Sequence, residues 1–192
     1  MRRGAWIAVF FPMIAGLGGC AGEMPLDEPV DEAALRATLA LKDAHHAAGS
    51  LVFGEVTVDH NWKRVTFARA LTDPVVVAKP FSSNGGQPGV LRLRNVDSSG
   101  FELRIQEWHY LDGWHYPERV GYLAAERGAH TLDGHLSVVA GSFDTDQTDF
   151  ARVRFAQVFS TRPVVLTSIA TFAGSDPVTG RWRAIDQAGF DS

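Results

Sequence analysis

Cysteine is almost absent from this chain of 192 residues, in which Cys20 stands alone. A single cysteine excludes an internal disulfide framework and every zinc or iron–sulfur site that is built from several cysteines. Long basic runs are missing as well, since no run of Lys or Arg is longer than the pair Arg2–Arg3, and the formal net charge is −4. We therefore do not expect nucleic acid as a partner.

Catalytic motifs are also missing. The chain contains no Gly-x-Ser-x-Gly, no phosphate-binding P-loop and no His-Glu-x-x-His, so hydrolytic and nucleotide chemistry lack a nucleophile, a phosphate cradle and a metal. Asp144, Asp146 and Asp149 do not have the spacing of a calcium-binding EF-hand loop. We expect a protein that is not an enzyme and that holds no metal or cofactor.

Apolar residues, in contrast, are plentiful. The chain is 45% hydrophobic and 21% charged, which supplies enough apolar material for a packed core and excludes disorder along the whole length. The length predicts one domain or two small ones.

The N-terminal segment has the features of an export signal. Arg2 and Arg3 precede an uncharged apolar stretch from Ala5 to Leu17, which is too short to remain as a membrane-spanning helix. The sequence Leu17-Gly18-Gly19-Cys20 that follows resembles the bacterial lipobox. We expect residues 1–19 to be a cleaved lipoprotein signal peptide and Cys20 to carry lipid that anchors the exported protein to the membrane of the cell envelope. Ala21, in place of an aspartate, favours the outer membrane. The alternatives are an ordinary signal peptide and a buried N-terminal helix.

Residues 20–50 form a predicted linker that contains a short helix. Asp31 is placed as an N-cap before an Ala- and Leu-rich run that continues to His46, and Gly49 is a stop signal.

After Leu51 the apolar pattern changes from a helical period to a period of two, which is typical of half-buried antiparallel strands. Turn sequences rich in Gly, Pro, Asn and Asp separate the alternating runs. We therefore predict an all-β antiparallel β-sandwich of about six strands over residues 51–140. The alternating apolar positions are Val65/Phe67, Val75/Val77, Leu91/Leu93 and Phe101/Leu103/Ile105.

An internal repeat indicates a second copy of this module over residues 141–192. Val65–Ala68 returns as Val153–Ala156, and Pro74–Val77 returns as Pro163–Leu166. The second copy contains no counterpart of the segment from Leu103 to about Gly128. Its sheet needs those strands to close a core, so we expect either a fragment of a longer chain or strands borrowed from elsewhere.

A set of short motifs is spread along the first copy: Val65-Thr66-Phe67, Pro74-Val75-Val76, Arg92, Val96, Gly100-Phe101, Trp108-His109 and Tyr122-Leu123-Ala124. With these residues the copy resembles the H-type lectin domain, the family of snail agglutinins and the discoidin C-terminal domain. That resemblance implies a six-stranded sandwich, binding of galactose or N-acetylgalactosamine, and a homotrimer. The family's arginine near the position of Pro88 is missing here, and Tyr122 replaces its closing tryptophan.

An aromatic, histidine-rich stretch near the end of this copy is the candidate carbohydrate site. Counting by two from Phe101 places Trp108 on the polar face of its strand. Aromatic faces with planar polar groups beside them suit a pyranose, although the same residues also suit a small satellite core or an oligomer contact. The predicted contact residues are Trp108, His109, Asp112, Trp114 and His115.

These features together predict a lipid-anchored, exported, carbohydrate-binding protein. Two alternatives remain open, a structural or adhesive surface module and an accessory binding region of a longer secreted enzyme.

Overall fold

The computed structural model describes residues 2–10, 44–132, 136–145 and 149–192. These residues form strands and no helix, which confirms the predicted all-β class. Within these ranges no helix is long and apolar enough to span a membrane. The strands are β1 (Arg2–Phe10), β2 (Ala44–Ala48), β3 (Leu51–Val58), β4 (Lys63–Thr66), β5 (Pro74–Phe81), β6 (Gly89–Asp97), β7 (Gly100–Glu107), β8 (Glu118–Glu126), β9 (Gly128–Leu132), β10 (Leu136–Thr145), β11 (Arg152–Arg154), β12 (Val164–Ile169) and β13 (Gly189–Asp191).

The described strands are arranged in four antiparallel sheets. The first module has an outer sheet of order β4-β7-β6 and an inner sheet of order β2-β3-β8-β5. The second module has an inner sheet of order β9-β10-β1-β12 and an outer sheet of order β11-β13. We call these the first outer, first inner, second inner and second outer sheets.

Three apolar cores join the four sheets in that order. Phe101 and Leu103 of the first outer sheet pack with Val76 of the first inner sheet. On the opposite face of that inner sheet, Val75 packs in a second core that includes Val138 of the second inner sheet. A third core, with Phe155 and Phe190 among its members, closes the second module. Because each inner sheet packs against a core on both faces, its strands contain continuous apolar runs such as Pro74–Val77.

The sequence repeat corresponds to a repeated turn. Asp97 Oδ1 accepts hydrogen bonds from the backbone N–H groups two and three residues on, at 2.8 and 3.1 Å. Asp186 Oδ1 does the same at 2.8 and 2.9 Å. Arg64 pairs with Asp97, and Arg152 pairs with Asp186. Hydrogen bonds from Arg64 and from the turn hold the pKa of the Asp97 carboxyl far below its usual range.

The glycines of the two turns allow close contact between backbones. A Cβ atom on Gly100 would lie 2.0 Å from the carbonyl oxygen of Val65, and one on Gly189 would lie 2.1 Å from that of Val153. The aromatic residue that follows each glycine, Phe101 or Phe190, is completely buried. The repeated Gly-Phe pair therefore reports packing rather than ligand binding.

Strand β1 completes the inner sheet of the second module. It lies between β10 and β12 and pairs antiparallel with both. In the first module β8 occupies the equivalent place between β3 and β5. The second copy thus borrows a strand from residues 2–10, which belong to the predicted signal peptide. Cleavage of residues 1–19 and lipidation of Cys20 remain predictions, and Cys20 lies outside the described residues.

One sequence prediction needs correction. The end of the predicted helix is strand β2, because Ala44–Ala48 pairs residue by residue with β3 across a turn in which Gly49 has a φ of +55°. Pairing in a sheet here overrides the helical propensity of alanine. The rest of that helix lies outside the described residues. The predicted boundary between residues 140 and 141 falls inside β10.

The turn glycine supplies a stability test. We expect Gly100→Ala to lower the free energy of unfolding by about 2–3 kcal/mol, because its Cβ meets backbone that cannot move aside. Gly86→Ala is the control, since a Cβ there has no neighbour within 4 Å, and its effect should stay within about 0.5 kcal/mol. Urea denaturation measures both variants, and equal effects would contradict the packing explanation.

Candidate functional site

The predicted site forms the loop between β7 and β8, residues 108–117. A turn begins the loop, where Leu111 N donates to Trp108 O at 2.9 Å. At its tip Trp114 N donates to Asp112 Oδ1 at 3.0 Å, and the intervening Gly113 has a φ of +80°. The Asp-Gly pair thus makes a tight turn in which the aspartate holds the backbone and glycine adopts a left-handed conformation.

A buried charged cluster holds the base of the loop. His115 is 1% exposed and lies between Glu107, the last residue of β7, and Glu118, the first of β8. His115 Nδ1 is 3.0 Å from Glu107 Oε1, and His115 Nε2 is 3.6 Å from Glu118 Oε1. Glu107 also accepts a hydrogen bond from Gly113 N at 3.1 Å. These contacts fix both ends of the loop to the sandwich.

Glu118 extends this cluster to the segment that follows β5. It accepts hydrogen bonds from Ser82 Oγ and from the backbone N–H groups of Asn84 and Gly85, at 2.5–2.9 Å. Burial by itself would raise the pKa of the Glu118 carboxyl, but these hydrogen bonds and the nearby His115 outweigh it and lower that pKa. Glu118 therefore keeps its negative charge at neutral pH and ties two loops together.

Exposed aromatic rings cover this base. Trp114 and Tyr116 are 46% and 53% exposed, and their ring centroids are 4.5 Å apart in an edge-to-face arrangement. The His60 ring lies 5.8 Å from that of Trp114, and His60 Nδ1 is within hydrogen-bond distance of the His115 backbone. We call Trp114, Tyr116 and His60 the aromatic surface. The mixed polar and apolar rings suit a ligand with one apolar face and several hydroxyl groups.

The five predicted contact residues do not all lie at the surface. His109, Asp112 and Trp114 are exposed, and Trp108 is half-buried. His115 was expected at the rim but lies beneath it, because two glutamates and the loop backbone enclose its ring. His115 therefore positions the loop and cannot contact a ligand there. Tyr116 and His60 were missed, although Tyr116 falls within the aromatic stretch of the sequence.

A second polar cluster, on the outer face of the first outer sheet, was not predicted. Arg92 is only 2% exposed and lies 4.5 Å from the ring centre of Phe172. It also donates hydrogen bonds to the carbonyl groups of Gly174 and Asp176. The segment after β12 thus crosses over β6, and His109 Nε2 lies 3.6 Å from an Asp176 carboxyl oxygen. The second module therefore reaches the edge of the candidate site.

A groove of about 440 Å³ also lies between the modules, lined by residues of β3, β5, β8 and β12. None of the predicted contact residues lines this groove. The aromatic surface and the groove are separate features.

Comparison with known proteins finds a similarity to a much longer protein. A protein named halomucin, from Haloquadratum walsbyi, is 31% identical to this chain over 181 residues, which is 86% of this chain. The chain spans only about 2% of the length of halomucin. No family model matches the chain, and no solved structure matches it.

The buried cluster predicts a pH-dependent loss of stability. Glu118→Gln should lower the free energy of unfolding at pH 7 by about 2–3 kcal/mol, because an amide cannot satisfy several N–H donors and leaves His115 without its second carboxylate. Because folding lowers the pKa of Glu118, its stabilisation is complete above the unfolded-state pKa of about 4.3 and is lost as pH falls through the folded-state value.

Urea denaturation of wild type and Glu118→Gln at pH 7 and pH 3 measures this effect. The difference in stability should shrink at pH 3, because the carboxyl is protonated in the unfolded chain at that pH and the stabilisation that comes from its lowered pKa is partly lost. A difference that is the same at both pH values would show that the charge of Glu118 does not stabilise the loop.

Proposed function

We propose that this protein is an exported, lipid-anchored, non-catalytic carbohydrate-binding protein whose site is the aromatic surface with the adjoining loop. The observation that carries the proposal is the exposed Trp114–Tyr116 pair, which stands above a buried, hydrogen-bonded base. The proposed contact residues are Trp108, His109, Asp112 and Trp114 from the sequence prediction, together with Tyr116 and His60.

The chemistry of the surface matches that of a pyranose ring. A tryptophan face packs against the C–H side of a sugar, while imidazole and carboxylate groups accept and donate hydrogen bonds to its hydroxyls. Asp112 and His109 are exposed on the same loop. A galactose-type sugar, which the resemblance to the H-type lectins implies, is the first ligand to test.

The hydrogen-bonded base of the loop lowers the entropy cost of binding a ligand. The contacts of Glu107, His115 and Glu118 order the loop before any ligand arrives. Binding therefore does not have to compensate for the entropy lost in ordering a mobile segment. We expect a dissociation constant of about 0.1–1 mM for one site, strengthened where several sites act together, as in a homotrimer or on a crowded membrane.

A structural or adhesive module is the second candidate function. The observation that favours it is the match to halomucin, of which this chain spans only about 2%. A module of this kind would serve as one unit of an extended array, and its aromatic surface would contact neighbouring protein rather than sugar. An accessory binding region of a longer secreted enzyme is compatible with the same observation.

The aromatic surface supplies the test of sugar binding. Trp114→Ala should abolish binding to galactose, N-acetylgalactosamine or a glycan array while lowering Tm by no more than about 2 °C, because its ring is half in solvent. Trp182→Ala is a matched control, since Trp182 is 47% exposed and lies on the second module. Calorimetry and a thermal melt of both variants measure the two effects.

Three outcomes would contradict carbohydrate binding at this surface. Wild-type protein that binds no glycan would favour the structural module. Equal losses in Trp114→Ala and Trp182→Ala would place any binding elsewhere. A large fall in Tm for Trp114→Ala would mean that Trp114 is a packing residue.

The anchor has its own test. We expect the membrane-extracted protein to begin at Cys20 and to carry lipid on it, so its intact mass should show the loss of residues 1–19 and the addition of acyl groups. Cys20→Ser should stay unprocessed or be released from the membrane. An unmodified Cys20 in exported wild-type protein would contradict the proposed anchor.

A further inference from the structure

Strand β1 occupies the space between β10 and β12, where an extended segment can pair with both strands. We call this space the slot. All nine residues of β1 pair with β10, and Gly4–Val9 also pair with β12. Antiparallel pairing on both sides satisfies the backbone groups that would otherwise leave two open sheet edges.

The slot repeats the environment of β8 in the first module. The strands β10 and β12, which flank β1, correspond residue by residue to β3 and β5, which flank β8. The strands β1 and β8 themselves come from distant parts of the chain. A small residue, an aromatic, an aliphatic and an alanine follow one another in both: Ala5-Trp6-Ile7-Ala8 and Gly121-Tyr122-Leu123-Ala124. The matching triplets across the sheets are Val139–Ala8–Val165 and Val52–Ala124–Val76, and Gly141–Trp6–Thr167 and Gly54–Tyr122–Ala78.

The side chains on the two faces of β1 pack into different apolar cores. Ala5 and Ile7 pack into the core between the two inner sheets. Trp6 and Ala8 point to the other side and pack into the core of the second module. There the Trp6 ring lies 5.1 Å from that of Phe155. A shift by one residue would exchange the two faces, so this burial specifies the register.

Steric fit restricts what the slot accepts. A Cβ atom on Gly141 of β10 would lie 2.5 Å from the Trp6 ring, so a glycine is required beneath that ring. In the same way, a Cβ on Gly4 would lie 2.4 Å from the ring of Phe143. The slot therefore favours a strand with a glycine at the position of Gly4 and an aromatic residue two positions further on.

We infer that the space between β10 and β12 is a sequence-selective binding site for an extended peptide, and that its occupant is the segment 2–10 of this chain. The contacts above are all non-covalent, and they hold β1 by the pairing and side-chain insertion that donor-strand complexes use. The site releases and rebinds this strand once the chain is cut between β1 and β2. Removal of residues 1–19 on export would make the same cut and open the slot.

The test uses the full chain, in the Cys20→Ser variant, with a site for a sequence-specific protease introduced between residues 10 and 44. After cleavage, the protein is unfolded in urea and refolded by dilution with an excess of isotope-labelled peptide of residues 2–10. In a second arm, the cleaved protein stays folded in a urea concentration below its unfolding transition, and the labelled peptide replaces the bound segment 2–10. This arm needs no refolding, so a failure to refold in the first arm does not decide the result. Mass spectrometry after size-exclusion chromatography measures the peptide that is retained.

We expect one labelled peptide per chain in at least one arm. A Trp6→Ala peptide should compete at least about 100-fold more weakly, because it loses the contacts with two phenylalanine rings. A peptide of shuffled order is the control for non-specific binding. Gly141→Val in the full chain should expose β10 and β12 to amide exchange while the first module keeps its protection.

Two results would overturn the inference. One is the absence of labelled peptide in both arms although the first module remains protected from exchange. The other is equal retention of the native and the shuffled peptide. Glycan binding at the aromatic surface does not enter this measurement, because that surface lies on the other module.

Discussion

The back-to-back packing of the two inner sheets is the contact on which the rest of the structure depends. Each inner sheet packs against an apolar core on both faces, so its central strands carry apolar residues on both sides, as Val75 and Val76 of β5 do. The contact also demands that the second inner sheet be continuous. Strand β1 provides that continuity, with Ile7 in the contact between modules and Trp6 in the core behind it.

This arrangement leaves the loops as the places where a binding site can vary. The two modules share the aspartate turn, the close approach of a glycine and the buried phenylalanine that follows it. They differ at β8, which follows β7 through the aromatic loop, whereas its counterpart β1 stands far from β13 in chain order. In the part of the chain that the structure describes, the aromatic loop connects β7 and β8 of the first module.

The candidate site joins a charged interior to an aromatic exterior. Two carboxylates and an imidazole inside the sandwich hold the loop, and rings that are half in solvent form its outer surface. Buried ionisable groups are costly unless they are paired and hydrogen-bonded. Glu118 meets that condition with three donors from the segment after β5, which fixes the shape of the surface before a ligand binds.

Features that depend on local pattern could be predicted from the amino-acid sequence. The alternation of apolar residues specified the strands from β4 to β7, and the repeated Gly-Phe pairs specified equivalent positions in the two modules, because side-chain parity and turn chemistry depend on near neighbours. The place of residues 2–10 in the second module and the burial of His115 could not be predicted in this way, because both depend on contacts between distant segments of the chain. A continuous apolar run is typical both of a signal peptide and of a strand that is buried on both faces. The burial of His115 depends on two carboxylates that strand pairing brings next to it.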